Sequence, residues 1–251
     1  MVNLNFTFSL KFFALTSSIS IMKMLAEQAE KNVLLAVQEA DEPGAVEENE
    51  FEDERYDDNG DSYQYTRTYY SCGSSIGYDY DEVKEDYKFL ITQLTRRSAF
   101  LTIFGLFEHR INDCLELMIR VAQYEKEMKS LGPIEKAHAI LKKGLGKRNI
   151  DNVDHLTIIR NIMIHNDGNA PNYHKILAKK DKKTEYERRL MSAIKRTKEV
   201  KINDFNGIIM NREFLTYAVS EFDRYATSLE QAIQNYEVEN PNESSIPFSG
   251  G

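Results

Sequence analysis

The sequence predicts an all-α protein that carries one small β-hairpin and one long acidic insertion. Three observations lead to this fold class. Helix-breaking residues are scarce, with 5 prolines and 12 glycines among 251 residues. Long stretches repeat their apolar residues at intervals of three and four, as one buried face of a helix requires. One segment, residues 41–63, is densely acidic and has few aliphatic side chains to bury.

The first predicted helix covers about residues 6–38, within an N-terminal element (residues 1–39) that we expect to pack on the bundle. Its opening, residues 6–15, also has the apolar character of a signal peptide. However, no basic residue precedes the apolar run, and Lys11 interrupts it. Because the apolar spacing continues through Leu34, a core helix is the favoured interpretation. No apolar run reaches the roughly 18 residues of a membrane span, and we expect no membrane partner.

Residues 40–80 are predicted to be an acidic, tyrosine-rich insertion that forms a loop or is disordered. Residues 41–63 contain eleven acidic side chains and one arginine, and seven tyrosines lie between positions 56 and 80. The insertion has little aliphatic surface to offset the entropy of ordering it. Its role stays open between a solubilising linker and a regulatory polyanion that imitates RNA and competes for a basic groove.

The part that follows, residues 81–240, is predicted to be a helical domain. Its first helix begins near Asp79 and runs to about Lys129, because apolar residues recur at helical spacing through this stretch. The Gly-Pro pair at 132–133 ends the pattern. Its proline suits the first turn of a short helix that continues to about Lys143.

Two further helical regions follow. Asp151 is the predicted N-cap of a helix whose first turn includes the acidic Asp154. This helix ends at residues 166–168, an Asn-Asp-Gly sequence typical of a helix C-terminus. The next helical region, about residues 173–197, lies in a basic segment. Residues 171–201 contain eleven Lys or Arg and four Asp or Glu.

A small β-hairpin is predicted between residues 200 and 210. Two short apolar runs, residues 200–202 and 208–210, flank a segment with an Asn-Gly pair, which is a frequent hairpin turn. A last helix covers about residues 212–236. The tail at residues 241–251, which contains Ser, Gly and Pro, is expected to be disordered.

The basic segment at residues 171–201 begins six residues after His165. Lysines beside a candidate site suit a phosphate-rich ligand, and we expect Lys175, Lys179 and Lys180 to contact RNA. The same charges are also typical of the solvated face of an amphipathic helix. Both interpretations stay open at the level of the sequence.

The sequence contains two cysteines, Cys72 and Cys114. They fit neither a metal-binding spacing nor a disulfide framework, which favours a reducing compartment and predicts a cytoplasmic protein. No Gly-rich phosphate loop follows a predicted strand, and the histidines show no paired ligand spacing. We therefore expect neither a cofactor nor a metal.

The candidate catalytic residues are Arg160, Asn161 and His165, near the end of the helix that follows Asp151. RNA cleavage without a metal needs a base for the ribose 2′-hydroxyl, an acid for the leaving 5′-oxygen and cations for the charge of the transition state. Histidine suits both proton transfers, and arginine binds phosphate through a planar, always charged guanidinium. Asn161 and His165 are four residues apart, so we expect the amide to orient the imidazole.

These residues resemble the motif of the HEPN superfamily, in which four to six residues, usually beginning with a polar one, separate an arginine from a histidine. Arg160-Asn161-x3-His165 matches this motif. The upstream segment Phe104-Gly105-Leu106-Phe107-Glu108-x3-Asn112 is similar to the first core helix of many members. The resemblance covers roughly residues 85–236 and leaves out the N-terminal helix and the acidic insertion.

The resemblance implies a HEPN-like helical bundle, usually dimeric, in which two copies of the motif face each other across a cleft. Many members are metal-independent endoribonucleases of toxin–antitoxin, abortive-infection or antiviral systems, and some have lost activity and serve as binding modules. By this resemblance Arg160 and His165 are catalytic, and Asn161 is the polar residue after the arginine. Glu108 and Asn112, four residues apart on the preceding helix, are expected to support the motif.

The function predicted from the sequence is a toxin or antiphage endoribonuclease that cleaves RNA at a homodimer interface, because one helix supplies a single arginine and a single histidine. A cognate antitoxin or regulatory protein is a further expected partner. Two alternatives stay open. One is a non-catalytic HEPN-like module that binds RNA or protein, and the other is an antitoxin or immunity component whose acidic segment neutralises a basic partner.

Overall fold

The computed structural model describes residues 4–56, 58–124, 128 and 130–240. They are mainly helical, as predicted, and also form two antiparallel sheets. The chain divides into two compact units: residues 28–98 form one, and the described residues before 28 and after 98 form the other. The predicted tail at residues 241–251 lies outside the described residues. No described helix combines the length and the apolar character needed to cross a membrane.

Helices and strands are numbered separately in chain order. The helices are α1 (Leu4–Glu39), α2 (Tyr80–Ala122), α3 (Pro133–Ala139), α4 (Asp154–His165), α5 (Tyr173–Ala178), α6 (Glu185–Arg196) and α7 (Phe214–Glu239). The strands are β1 (Glu47–Tyr56), β2 (Ser62–Cys72), β3 (Ser75–Gly77), β4 (Val200–Ile202) and β5 (Ile208–Met210). A π-helical turn at Ile140–Gly144 continues α3. Helices α1 and α2 each contribute residues to both units.

Aromatic side chains of α2 and α7 form the centre of the larger unit. Phe107 stacks on Phe222 with ring centroids 4.2 Å apart, and Phe100 meets Phe214 edge to face at 4.9 Å. From α1, Phe12 is fully buried in the same unit. Burial of such large apolar rings is the dominant favourable contribution to folding. The N-terminal helix is therefore a core helix, as its apolar spacing predicts.

The boundaries of α2 and α4 differ from the prediction. Helix α2 ends at Ala122 rather than near Lys129, because Gln123 adopts a left-handed backbone conformation with φ of 47°. Helix α4 begins at Asp154, so Asp151 lies too far upstream to cap it, and the predicted N-cap is wrong. The backbone carbonyl of Asp151 instead accepts a hydrogen bond from the Arg224 guanidinium at 3.1 Å.

The basic segment forms two helices, α5 and α6, rather than one helical region. Thr184 begins α6 with a capping box: its hydroxyl accepts the backbone N–H of Glu187, and the Glu187 carboxylate accepts the N–H of Thr184. These reciprocal hydrogen bonds satisfy two N–H groups that a helix start otherwise leaves unpaired. This local cap therefore sets the residue at which α6 begins within the basic segment.

The acidic insertion is the largest departure from the prediction, which made residues 40–80 a loop or a disordered segment. Instead β1 pairs with β2 in an antiparallel ladder from Glu47–Ser71 to Tyr56–Ser62, and β3 extends the sheet. The tyrosines and threonines of β2 favour extended backbone. Cross-strand ring contacts, such as Phe51 with Tyr69 at 5.9 Å, stabilise the ladder without aliphatic burial. The prediction is wrong because such a sheet needs few aliphatic residues.

A small apolar cluster supports the base of this sheet within the smaller unit. Tyr70 and Tyr87 pack against its buried members, which are Ala40, Val46, Cys72 and Val83. Gly73 has φ of 55°, and a Cβ atom at this position would overlap the Tyr87 ring. The turn between β2 and β3 therefore requires glycine, both for its left-handed backbone conformation and for the lack of space beside Tyr87.

Candidate functional site

Helix α4 carries all three candidate catalytic residues. Its apolar side chains face the core and fix the rotation of the helix. As a consequence Arg160 is half-buried, and Asn161 and His165 are exposed. The buried residues of this apolar face are Leu156, Ile158, Ile159, Ile162 and Met163.

Three neighbours hold the Arg160 side chain. Its Nη2 lies 3.3 Å from Oε2 of Glu108, and its Nη1 donates a hydrogen bond to Oδ1 of Asn161 at 2.9 Å. The guanidinium carbon lies 5.4 Å from the centroid of the Phe104 ring. Because Glu108 and Phe104 lie on α2, the two segments on which the family resemblance rests meet at Arg160. The guanidinium carries five N–H donors, so some remain for a phosphate.

Asn161 does not orient His165 as the sequence predicts. Its amide oxygen is occupied by Arg160. Among the described residues, no hydrogen bond or ion pair reaches the His165 imidazole. Helix geometry places His165 about 140° around the axis and ~7.5 Å along it from Arg160. The arginine and the histidine of a single copy therefore point in different directions.

The β4–β5 hairpin fixes the chain that follows His165. Its strands have the predicted bounds, which confirms this element. The Gly168 N–H bonds to the carbonyl of Ile162 at 3.1 Å, and the Gly168 carbonyl accepts the N–H of Ile208 at 2.9 Å. The backbone at the end of α4 is therefore anchored, while the His165 side chain stays exposed.

The two predicted supporting residues differ. Glu108 makes the ion pair with Arg160, with side chains that are 26% and 28% exposed. Asn112 is exposed on α2, and among the described residues nothing connects its side chain to Arg160, Asn161 or His165. One turn of helix therefore separates a residue that contacts the motif from one that does not.

The three predicted RNA-binding lysines are also not equivalent. Nζ of Lys179 lies 3.0 Å from both carboxylate oxygens of Glu187, so its charge is already paired. Lys175 and Lys180 are exposed, and no carboxylate pairs with either one in the described part of the chain. Charge available to a polyanion is thus expected at these two positions.

A second polar cluster, which the sequence analysis did not single out, surrounds His155 near the start of α4. The His155 side chain is buried, with Nε2 3.0 Å from the Tyr217 hydroxyl and 3.6 Å from Oε2 of Glu221. Glu221 also pairs with Arg196 at 2.9 Å and with Arg224 through both oxygens at 3.0 Å. The signal in the sequence is the spacing of Tyr217, Glu221 and Arg224 on one helix, a pattern too frequent to identify a cluster.

Burial sets the protonation of this cluster. It lowers the pKa of His155 to about 4, and the charge of Arg196 acts in the same direction. Burial also raises the pKa of Tyr217. Burial acts to raise the pKa of Glu221, but the hydrogen bond and charge of Arg224, with the charge of Arg196, hold that pKa below its usual value. At neutral pH the cluster therefore combines a neutral imidazole with an ionised carboxylate.

The comparisons add no relative. No protein-family model, curated protein or solved structure matches this chain. Within the described residues, no group of three or more His, Cys, Asp or Glu side chains has an arrangement that holds a metal ion. The HEPN resemblance consequently stands on the Arg160 motif and the Glu108 segment.

Proposed function

We propose that this chain is a metal-independent endoribonuclease with a composite site formed by two copies of α4. The observation that carries the proposal is the fixed, partly exposed guanidinium of Arg160. Glu108, Asn161 and Phe104 surround it, and an exposed His165 ends the same helix. A positioned guanidinium can bind the phosphate and an accessible imidazole can transfer protons, and metal-independent cleavage of a phosphodiester uses both of these tasks.

The proposed reaction uses two imidazoles with different tasks. His165 of one copy accepts the proton of the ribose 2′-hydroxyl, and the resulting oxygen attacks the adjacent phosphorus. The second copy's imidazole, in its protonated form, donates a proton to the leaving 5′-oxygen as the P–O bond breaks. The products are a 2′,3′-cyclic phosphate and a 5′-hydroxyl. Arg160 stabilises the negative charge that develops on the phosphate oxygens.

Two copies are required because one helix does not bring the groups together. Each copy supplies one histidine, and helix geometry separates that histidine from Arg160 by about 140° around the axis. A two-fold axis beside α4 would place Arg160 of one copy opposite His165 of the other. The proposed enzyme is therefore a homodimer with one shared active centre.

The decisive experiment is RNA cleavage in the presence of EDTA, with total RNA and tRNA as substrates. We expect the wild type to cut and both Arg160→Ala and His165→Ala to be inactive, with products that carry a cyclic phosphate end. His109→Ala is the matched control, because His109 is exposed on α2 and outside the motif. Cleavage by His165→Ala at the wild-type rate would disprove the catalytic role proposed for His165.

A mixing experiment tests the shared site. His165→Ala is combined in equal amount with the wild type, and the subunits are allowed to exchange. If a dimer needs both histidines, the mixture keeps about one quarter of the activity of the same total amount of wild-type dimer. If each histidine acts independently, the mixture keeps about half of that activity. The two outcomes separate a composite centre from two complete monomeric ones.

One observation favours a second candidate, a non-catalytic module that binds RNA or a protein partner. The Glu108 carboxylate partly neutralises Arg160, and Asn161 contacts that arginine rather than the histidine. This candidate predicts a folded protein that binds RNA and leaves it intact in the EDTA experiment. Loss of RNA binding in Arg160→Ala, without any cleavage by the wild type, would favour it.

The cellular role proposed with the nuclease is a toxin or an antiphage effector, and it follows from the family resemblance. Expression of the wild type is then expected to arrest growth, and Arg160→Ala is expected to abolish the arrest. Growth arrest that persists in His165→Ala would separate toxicity from RNA cleavage. An antitoxin or immunity component would instead relieve the toxicity of a basic partner.

A further inference from the structure

Strand β1 is an edge strand with an unpaired outer side. It hydrogen-bonds to β2, and the sheet order is β1-β2-β3. Among the described residues, no backbone hydrogen bond reaches its other side. A row of unpaired N–H and C=O groups is a template for an additional strand. The side chains on the two faces of β1 decide which strand fits.

One face of β1 is a ladder of four exposed carboxylates: Glu48, Glu50, Glu52 and Glu54. Their cross-strand neighbours on β2 carry no charge, since they are Tyr70, Thr68, Thr66 and Gln64. In the part of the chain that the structure describes, no cationic side chain pairs with any of the four. Alternate residues of a strand lie roughly 6.6–6.8 Å apart. The ladder therefore presents evenly spaced, unneutralised negative charges.

The opposite face of the sheet is aromatic and already holds two guanidinium groups. The guanidinium carbon of Arg67 lies 3.8 Å from the Tyr78 ring centroid, and that of Arg55 lies 4.6 Å from the Tyr65 centroid. A groove of about 320 Å³ runs across this face. The groove is lined by Phe51, Tyr69, Ile76, Gly77 and Tyr78. Of these groove rings, Tyr78 already holds a cationic side chain, that of Arg67.

We propose that β1 is the docking edge for an extended, basic segment of a partner protein, which adds to the sheet as a further strand. Lys or Arg at every second position of that segment would face the carboxylate ladder. The side chains between them would lie beside Phe51 at the rim of the aromatic groove. Backbone hydrogen bonds supply affinity in this mode of recognition, and the alternating side chains supply specificity. The docking edge does not rest on the proposed nuclease activity.

Charge complementarity excludes the two nearest competitors. A second copy of β1 would bring its own carboxylates against the ladder, and like charges opposite each other on paired strands are destabilising. An RNA strand would bring phosphates toward a segment that has eleven acidic side chains and one arginine between residues 41 and 63. A cationic strand is therefore the occupant that the carboxylate ladder favours.

The test is a binding titration of the full chain with two labelled peptides of identical composition, both acetylated and amidated at their ends. The alternating peptide has four lysines that each precede a threonine, so every lysine can face the ladder. The block peptide has its four lysines first and its four threonines after them, so only half of its lysines can face the ladder. Fluorescence anisotropy measures affinity, and amide hydrogen exchange measures protection of β1. We expect the alternating peptide to bind more tightly and to protect amides of β1.

Two variants with the same change in net charge distinguish the effect of carboxylates on the ladder from the effect of the overall charge. We expect the ladder variant, in which four exposed ion pairs are lost, to bind the alternating peptide about tenfold more weakly. The control variant is expected to change affinity less than about twofold. The ladder variant is E48Q/E50Q/E52Q/E54Q, and the control variant is E27Q/E42Q/D86N/D204N. If circular dichroism shows that the ladder variant is unfolded, E50Q/E52Q takes its place.

Three outcomes would overturn the docking edge. Equal affinity for the two peptides, with equal losses in both variants, would indicate attraction to net charge alone. Failure of both peptides to protect β1 would indicate that the carboxylates serve only to stop edge-to-edge pairing between copies. Protection of β1 by a labelled ten-residue oligouridylate, and not by peptide, would assign the sheet to RNA.

Discussion

The two ends of helix α4 carry histidines in opposite environments. His155 is buried, bonds to the Tyr217 hydroxyl and lies beside Glu221, and its pKa falls to about 4. His165 is exposed, and no described residue pairs with its imidazole. The residue type and the helix are the same. The difference lies in what the rest of the fold brings to each end.

This contrast separates a structural histidine from the histidine of the proposed catalytic site along a single helix. A neutral imidazole inside a cluster of arginines and a carboxylate contributes to packing and hydrogen bonding, and it is closed to a substrate. An exposed imidazole next to an anchored turn is open to a substrate and contributes little to folding. The histidine that matters for the proposed chemistry is therefore the one with the fewer contacts.

The largest expected effect is that substitution of His165 lowers the cleavage rate and not the stability, whereas substitution of His155 lowers the stability and not the cleavage. His165→Ala should lower the rate of RNA cleavage by about a hundred- to ten-thousand-fold, which is the usual contribution of a proton-transfer group. Its urea unfolding midpoint should match that of the wild type. His155→Ala should destabilise the protein by roughly 2–3 kcal/mol, because the Tyr217 hydroxyl loses a buried partner, and cleavage at low temperature should persist. A large loss of stability in His165→Ala would break the contrast.

The next effect is a pH dependence that belongs to His155. Its pKa is lower in the folded protein than in the unfolded chain, so acid favours unfolding, because the unfolded chain binds the proton first. Between about pH 6.5 and pH 4 the free energy of unfolding should fall by roughly 3 kcal/mol on this account, and above that window His155 should contribute no slope.

His155→Gln is the reference for this measurement, by urea unfolding at several pH values, because glutamine cannot titrate there. The lowered pKa of Glu221 acts in a separate window: its stabilisation is present above the ordinary pKa of 4.5 and is lost as the pH falls below it. An equal slope for both proteins between pH 6.5 and pH 5 would contradict the assignment to His155.

A smaller effect is expected from Glu108→Gln. The ion pair with Arg160 is only partly buried, so its loss should lower stability by less than about 1 kcal/mol. Cleavage should fall roughly tenfold through kcat, because the guanidinium loses one of its positioning contacts. Asn112→Ala, one turn further along α2, should leave both quantities unchanged. Equal effects of the two substitutions would indicate that Glu108 has no special role.

The smallest effect concerns the basic segment. Lys175→Ala and Lys180→Ala should each weaken RNA binding a few-fold and reduce the slope of log affinity against log salt by about 1. Lys179→Ala should change that slope less, because its charge is already paired with Glu187. A filter-binding series at several salt concentrations measures all three variants. Identical slopes would remove the distinction between paired and unpaired lysines.

Helix periodicity and turn chemistry predicted much of the larger unit. The β4–β5 hairpin has the expected bounds, because an Asn-Gly turn between two short apolar runs is a strictly local signal. Capping was less predictable: Asp151 has the right chemistry for an N-cap, yet Arg224 from a distant helix binds its carbonyl. The first residue of α4 is Asp154, so the position of the helix start was not specified by the capping chemistry of Asp151 alone.

In the smaller unit, amino-acid composition did not predict the secondary structure. Acidic and aromatic residues at 40–80 predict little burial, and the structure places them in a pair of long strands. The tyrosines and threonines of β2, which favour extended backbone, were present in the sequence. The register that sets Phe51 near Tyr69 depends on the pairing itself.

The sequence by itself determined that Arg160, Asn161 and His165 share one helix and that this helix ends at His165, because periodicity and end signals are local. Tertiary structure alone decided which of them meet. Glu108, 52 residues away, contacts the arginine, Asn161 turns toward Arg160, and His165 stays exposed while His155 is enclosed. The physical reason is that hydrogen-bond partners and burial depend on groups distant in sequence, which helical spacing does not specify.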